Sequence, residues 1–270
     1  MIKENNINKL RSLPLTNYNL NFLMEDDLMK FDVKISPLLG ACFIGKTEIV
    51  SLFLENEFID VDLESSPQKF TPLMVSCYKG FYEITRNLLD KNADVNKMNI
   101  LGHRALLFCF SRLEENQYKY ENKKICMMLV ELLLSKGADL NIRVDKKFGH
   151  TILMKLVSSD YGSREKFEEN SEMIRFLIER GANVNIKSYD KQTVFDFISE
   201  ENEFKDEIYD ILNFTKQKYF YPAFEDLRNN SNIDQNESTD KKLFNNIKLD
   251  SSEMKMNCCK ICKNIFNNIG

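Results

Sequence analysis

Thr71-Pro-Leu-Met-Val-Ser-Cys-Tyr-Lys-Gly-Phe-Tyr-Glu-Ile-Thr-Arg-Asn-Leu-Leu89 aligns without gaps on Ser36-Pro-Leu-Leu-Gly-Ala-Cys-Phe-Ile-Gly-Lys-Thr-Glu-Ile-Val-Ser-Leu-Phe-Leu54, 35 residues upstream. Seven of the nineteen positions are identical. Self-similarity at such a period marks a stack of small helical units, each unable to bury its apolar face alone. The conserved-type positions have local reasons. Ser36 and Thr71 precede Pro, so each caps a helix whose first residue needs no amide hydrogen. Ala41 and Ser76 are small where two helices approach. Gly45 and Gly80 fall where one helix turns into the next. Glu48 and Glu83 then sit near the positive end of a second helix.

A second motif closes each unit. Asn92-Ala-Asp-Val-Asn96, Gly137-Ala-Asp-Leu-Asn141 and Gly181-Ala-Asn-Val-Asn185 each follow an apolar run, at spacings of 45 and 44 residues. Gly137 and Gly181 stand where a helix must stop with φ > 0, and Asn92 tolerates the same conformation.

With both motifs in this order, the sequence resembles the ankyrin-repeat family over residues 31–215. That family's unit is a β-turn followed by two helices, about 33 residues long. The resemblance implies an all-α solenoid with short β-turn fingers. Five repeats are expected, at 31–64, 65–98, 99–143, 144–187 and 188–215. The third opens on Gly102-His-Arg-Ala-Leu and the fourth on Gly149-His-Thr-Ile-Leu, both without the Pro. The fifth is eroded, with Phe204, Ile208, Ile211 and Leu212 forming one apolar helix face, as suits the end of a stack. Residues 1–30 are expected to supply a helical cap or degenerate repeat at the other end. The third and fourth repeats exceed the standard length by about eleven residues. The excess is polar and is placed between the two helices, near 111–124 and 158–171, on one edge opposite the fingertips. It reads as surface loop.

One motif points elsewhere. Gly40-Ala-Cys-Phe-Ile-Gly-Lys-Thr47 fits the phosphate-loop pattern G-x-x-x-x-G-K-S/T in full. Register with the second repeat makes most of it a helix, whose amides are consumed by helix bonds. A phosphate loop needs those amides free. The matching Val75–Tyr82 stretch has no Lys-Thr. The motif is read as a turn between helices, and no enzymatic activity is expected.

The chain has 270 residues, a net charge of −4 and 29% charged residues. It has no basic run to track a phosphate backbone, so nucleic acid is not expected as a partner. It shows no signal-like start and no apolar run long enough for a membrane span. An intracellular, cytoplasmic monomer is the expectation. Cys42, Cys77, Cys109 and Cys126 lie in apolar helices and read as inert core thiols. No cofactor is expected.

Residues 216–270 change character. An aromatic stretch, Tyr219–Phe224, is followed by an Asn-rich segment with little to bury, which reads as flexible. Cys258, Cys259 and Cys262 crowd the end. Cys259-Lys-Ile-Cys262 looks like the first knuckle of a RING-type finger, but a lone C-x-x-C is half a zinc site. A thiol remnant, a lipidation site and shared zinc all stay open there.

The resemblance implies a non-catalytic scaffold or adaptor that holds a protein partner across a concave face of fingers and first helices. By motif register that face comprises Val33, Ile35, Phe43 and Ile44, then Gln68, Phe70, Tyr78 and Lys79, then Leu101, His103, Phe148 and His150. A ubiquitin-ligase component using the cysteine tail is the alternative.

Overall fold

The computed structural model describes residues 19–25, 34–110, 119–159 and 161–213. Among them the chain forms two layers of short helices. The first layer holds α1 (Pro37–Phe43), α3 (Pro72–Lys79), α5 (Ala105–Phe110) and α7 (Ile152–Val157), then a 3-10 turn, Val194–Phe197. The second holds α2 (Thr47–Leu54), α4 (Tyr82–Asp90), α6 (Lys119–Ser135), α8 (Arg164–Glu179) and α9 (Lys205–Asn213). Within each layer successive helices pack side by side: α1 on α3 on α5, and α2 on α4 on α6 on α8 on α9. The only sheet among the described residues is a short antiparallel pair, β1 (Met24–Glu25) with β2 (Lys34–Ile35), in which Met24 faces Ile35.

Local chemistry sets the helix limits. Ser36 Oγ accepts from the Leu39 amide at 3.1 Å, Thr71 Oγ1 from Met74 at 3.2 Å, and Thr151 Oγ1 from Met154 at 3.3 Å. Each satisfies a donor that the first helical turn leaves open. At the other end Gly80 takes φ +73, so that the Phe81 amide folds back onto the Ser76 carbonyl at 3.0 Å. Gly45 does the same at φ +71, with the Lys46 amide on the Ala41 carbonyl at 3.1 Å. An alanine is poorly suited to this left-handed turn.

Residues 119–124 and 164–171 of the expected excess are helix rather than loop. They lengthen the second helix: α6 has 17 residues and α8 has 16, against 8 in α2 and 9 in α4. At 1.5 Å per residue, eight extra residues carry each helix about 12 Å further. The fourth-repeat extension is also not wholly polar. Tyr161 and Phe167 are both buried, and Phe167 stacks on Phe204 with ring centres 4.3 Å apart. Tyr161 meets Phe167 edge-on at 5.4 Å. The two extensions lie side by side, joined by an ion pair between Lys123 and Glu172.

The core divides into two groups of buried side chains. One runs from Leu20 through α1 to α6 and reaches Phe176 and Leu177 on α8. The other joins Leu153, Met154 and Val157 to Ile174, Ile208 and Leu212. Cys42, Cys77, Cys109 and Cys126 are buried inside the first group. Burial pushes the Cys42 thiol well above the ordinary thiol range. Burial, with Cys77 as a neighbour, does the same to Cys109.

Candidate functional site

Between one second helix and the next first helix the chain makes a finger, and a polar side chain at its base closes the turn. Ser65 Oγ accepts from the Phe70 amide at 2.9 Å. Asn99 Oδ1 accepts from Leu101 at 3.0 Å and His103 at 2.9 Å. Asp145 Oδ1 accepts from Lys147 at 2.8 Å and Phe148 at 3.1 Å. Ser188 Oγ accepts from Gln192 at 3.1 Å. Short polar side chains of this kind mimic a backbone turn.

The fingers are stitched into a row. Lys34 and Ser66 exchange both backbone bonds at 2.9 Å. The Ile100 amide donates to the Gln68 carbonyl at 3.3 Å, and the Tyr189 amide to the Phe148 carbonyl at 2.9 Å. The Lys146 ammonium donates to the Ile100 carbonyl at 3.1 Å, and the Arg143 guanidinium to the Lys187 carbonyl at 3.0 Å.

A second row of bonds runs beneath, through the closing motif. Asn96 donates to the Gly137 carbonyl at 3.0 Å and accepts from the Asp139 amide at 3.4 Å. Asn141 does likewise with Gly181 at 3.2 Å and Asn183 at 2.8 Å. Asn21 makes the same pair, with the Phe58 carbonyl at 2.6 Å and the Asp60 amide at 2.7 Å. Asn21 therefore occupies the position of a repeat-closing asparagine ahead of the first repeat. The signal was available: Asn17-Tyr-Asn-Leu-Asn21 shares its first and last residues with Asn92-Ala-Asp-Val-Asn96. Asp60-Val-Asp62 is the corresponding ending of the first repeat, and the Asp62 carboxylate accepts from the Asp94 amide at 2.9 Å. Burial raises the Asp62 carboxyl above the usual range, although that hydrogen bond and Lys97 oppose it.

The residues expected on the partner-binding face separate into three groups. Ile35 and Phe70 belong to the core, only 2% and 7% exposed. Phe70 meets Phe108 edge-on at 5.6 Å, because α5, the first helix of the next repeat, packs over it. The Ile35 and Phe70 side chains are covered by neighbouring repeats and offer a partner almost no surface. Gln68 is buried as well.

Phe43, Ile44, Tyr78, Lys79 and Leu101 are half-buried. The Lys79 ammonium lies 4.2 Å from the Phe43 ring centre and 5.6 Å from that of Tyr78, binding α1 and α3 into one small aromatic–cationic patch. His103 and His150 are also half-buried. Burial pushes the His103 imidazole down to about 4, helped by the charges of Lys146 and Lys155. His150 stacks on Phe148 at 5.3 Å and meets Phe197 edge-on at 4.7 Å. Phe148 is exposed.

Val33, the tail at 216–270 and its cysteines Cys258, Cys259 and Cys262 lie outside the described residues. Among the described residues no cluster of three or more His, Cys, Asp or Glu could hold a metal ion, and no helix is long and apolar enough to cross a membrane.

The phosphate-loop pattern has its amides engaged. Gly40 donates to the Ser36 carbonyl at 2.9 Å, Ile44 to Gly40 at 3.2 Å, Gly45 to Cys42 at 3.3 Å and Thr47 to Gly45 at 3.2 Å. With Lys46 also spent on Ala41, these groups cannot converge on one anion.

Residues 2–99 match the family model described as ankyrin repeats, in three copies. Residue 2 lies ahead of the first repeat read from the sequence, on the side where Asn21 closes a unit. Ankyrin repeat and KH domain-containing protein 1 of Homo sapiens is 32% identical over 112 residues, which is 41% of this chain and 4% of that protein. Ankyrin repeat and KH domain-containing protein mask of Drosophila melanogaster is 32% identical over 112 residues, 41% of this chain and 2% of that protein. A Plasmodium falciparum protein whose name includes E3 ubiquitin-protein ligase is 34% identical over 115 residues, 42% of this chain and 1% of that protein. The chain thus spans only a small fraction of the length of these relatives.

Proposed function

We propose that this chain, whose residues 2–99 match ankyrin repeats, is a non-catalytic scaffold or adaptor that holds a protein partner across the side built from its fingers and first helices. Ankyrin repeats generally mediate protein–protein interaction. The observation that carries the reading is the unbroken row of stitched fingers with aromatic side chains left at its surface. Rigid stitching lowers the ordering cost of binding, because the contact residues are already in place. Exposed aromatic side chains are the type that favours interface cores. Along the first helices the Phe43–Lys79–Tyr78 patch continues the same side. The partner face is restated as Phe43, Ile44, Tyr78, Lys79, Leu101, His103, Phe148 and His150, on a monomer in the cytoplasm.

The test is affinity capture with the full chain as bait, against a variant carrying Tyr78→Ser and Lys79→Glu. Both side chains are partly exposed, so helical content by circular dichroism should be unchanged. The expected result is loss of a partner captured by the unmodified chain. A variant that retains every partner would remove this side from consideration.

A further inference from the structure

The last three fingers differ from the rest in what they leave uncovered. Ile100 is 41% exposed, Phe148 39% and Tyr189 59%. These side chains come from three consecutive fingers, and the fingers are bonded to one another. The Tyr189 amide bonds to the Phe148 carbonyl at 2.9 Å, and the Lys146 ammonium to the Ile100 carbonyl at 3.1 Å. The Tyr189 ring also lies flush against Gly149, where an added Cβ would meet it at 2.9 Å. They form one apolar strip running across the fingers.

Cations border the strip. The Arg143 guanidinium sits 5.7 Å from the Tyr189 ring centre, and the Lys147 ammonium 4.8 Å from that of Phe148. Lys146, Lys187 and Lys191 are also exposed on these fingers. None of these five bases is paired with a carboxylate among the described residues. The acids nearby do not balance them. Asp145 is turned inward, with Oδ1 on two backbone amides and Oδ2 at 3.4 Å from Lys155. The exposed acids here are Asp190 on the last finger and Asp196 just after it, which feels the charge of Lys187, so two carboxylates face five bases. The chain as a whole carries −4, so this positive strip is a local departure from the average.

We propose that the strip is the docking site for an extended acidic segment of a partner protein, with aromatic or aliphatic side chains between its carboxylates. The proposal rests on the scaffold reading above and names the partner's chemistry. An extended segment presents alternate side chains to one face, which lets apolar groups meet Ile100, Phe148 and Tyr189 while carboxylates reach the flanking bases. The charges would steer encounter and fix register, and the apolar strip would hold the complex. A polynucleotide fits less well. Its phosphates need a continuous basic track, and the acidic chain repels it at long range.

The experiment uses fluorescence anisotropy of the full chain with a labelled peptide of alternating Glu with Phe and Leu. Saturable binding is expected, weakening by about tenfold from low to moderate salt as the charges are screened. The same peptide with Lys in place of Glu should not bind. Lys147→Glu with Lys191→Glu should weaken the acidic peptide by about tenfold, and Tyr189→Ser should weaken it with the salt dependence retained. Equal binding of the Lys peptide, or indifference to the charge-reversal variant, overturns the proposal. Tighter binding of an oligouridine or of phosphatidylserine vesicles overturns it in favour of those partners. Because the peptide assay reads the strip and the capture assay reads Tyr78 and Lys79 on the first helices, the two readings separate. Partner capture lost through that variant, alongside a strip inert to peptide, retains the scaffold and discards the acidic partner.

Discussion

The first two repeats and the third and fourth share their fingers and their first helices, but not their second helices. α2 and α4 are two turns long, while α6 and α8 are about twice that. In both halves hydrogen bonds stitch finger to finger, backbone to backbone early and with Lys146 and Arg143 side chains added late, and Asn or Asp closes each unit. The additional residues therefore leave the stacking register untouched. They enter where the second helix begins, a place where one more turn adds a hydrogen bond per residue and no new chain reversal. The early half is held by its turns, which are specific and compact. The late half gains a further packing surface, where the α8 extension buries Tyr161 and Phe167 against Phe204.

The comparison can be broken at its strongest point first. Phe167→Ala empties a stacked site that is 2% exposed. It should cost about 3–5 kcal/mol. Urea unfolding should show the loss, and hydrogen exchange should place it in α8 and α9 while α2 and α4 keep their protection. Uniform loss across the chain would mean that the extension is not a separate packing element.

A smaller effect is expected in the regular half. At Gly45 an added Cβ would lie 2.6 Å from the Phe81 ring, on a backbone at φ +71. Gly45→Ala should cost about 2 kcal/mol, from left-handed strain and the shift of a neighbouring ring. A melting temperature unchanged from the unmodified chain would show that this turn is not what holds α1 to α2.

The smallest effect concerns the pair joining the extensions. Lys123 is 11% exposed and Glu172 44%. Water reaches the pair from the Glu172 side and screens it, so Lys123→Met should change stability by no more than about 1 kcal/mol. A double-mutant cycle with Glu172→Gln measures the coupling directly. A coupling of several kcal/mol would mean that charge, rather than aromatic burial, organises this edge.

Much of the architecture was legible from residues alone because its signals are local. Ser36 and Thr71 cap their helices, Gly45, Gly80, Gly137 and Gly181 stop them, and Asn92 takes φ 61 as a stand-in for glycine. The same reasoning disposed of the phosphate-loop pattern, since the turn after α1 consumes its amides. Two closing motifs are weak in sequence. Asn17–Asn21 and Asp60–Asp62 match the closing motif weakly, and only the bonds of Asn21 and Asp62 display their role. The polar insertions read as loop because charged residues dominate them. Tyr161 and Phe167, two aromatics in that stretch, were the hint that part of it is buried.

The candidate face was less legible. Register places Ile35, Gln68 and Phe70 on the fingers, and it places Phe148 and His150 there too. Which of these the next repeat covers is not a local property. Phe70 is buried because Phe108 arrives from the following repeat, while Phe148 stays exposed beside Tyr189.

The sequence by itself determined the repeat, its helix limits and its direction of stacking, because caps, left-handed turns and apolar periodicity act within a few residues. Only the tertiary structure decided which fingertip side chains remain in water and how the long second helices pack. Those outcomes depend on contacts between residues some forty positions apart, and a side chain's own neighbours in the chain carry no record of them.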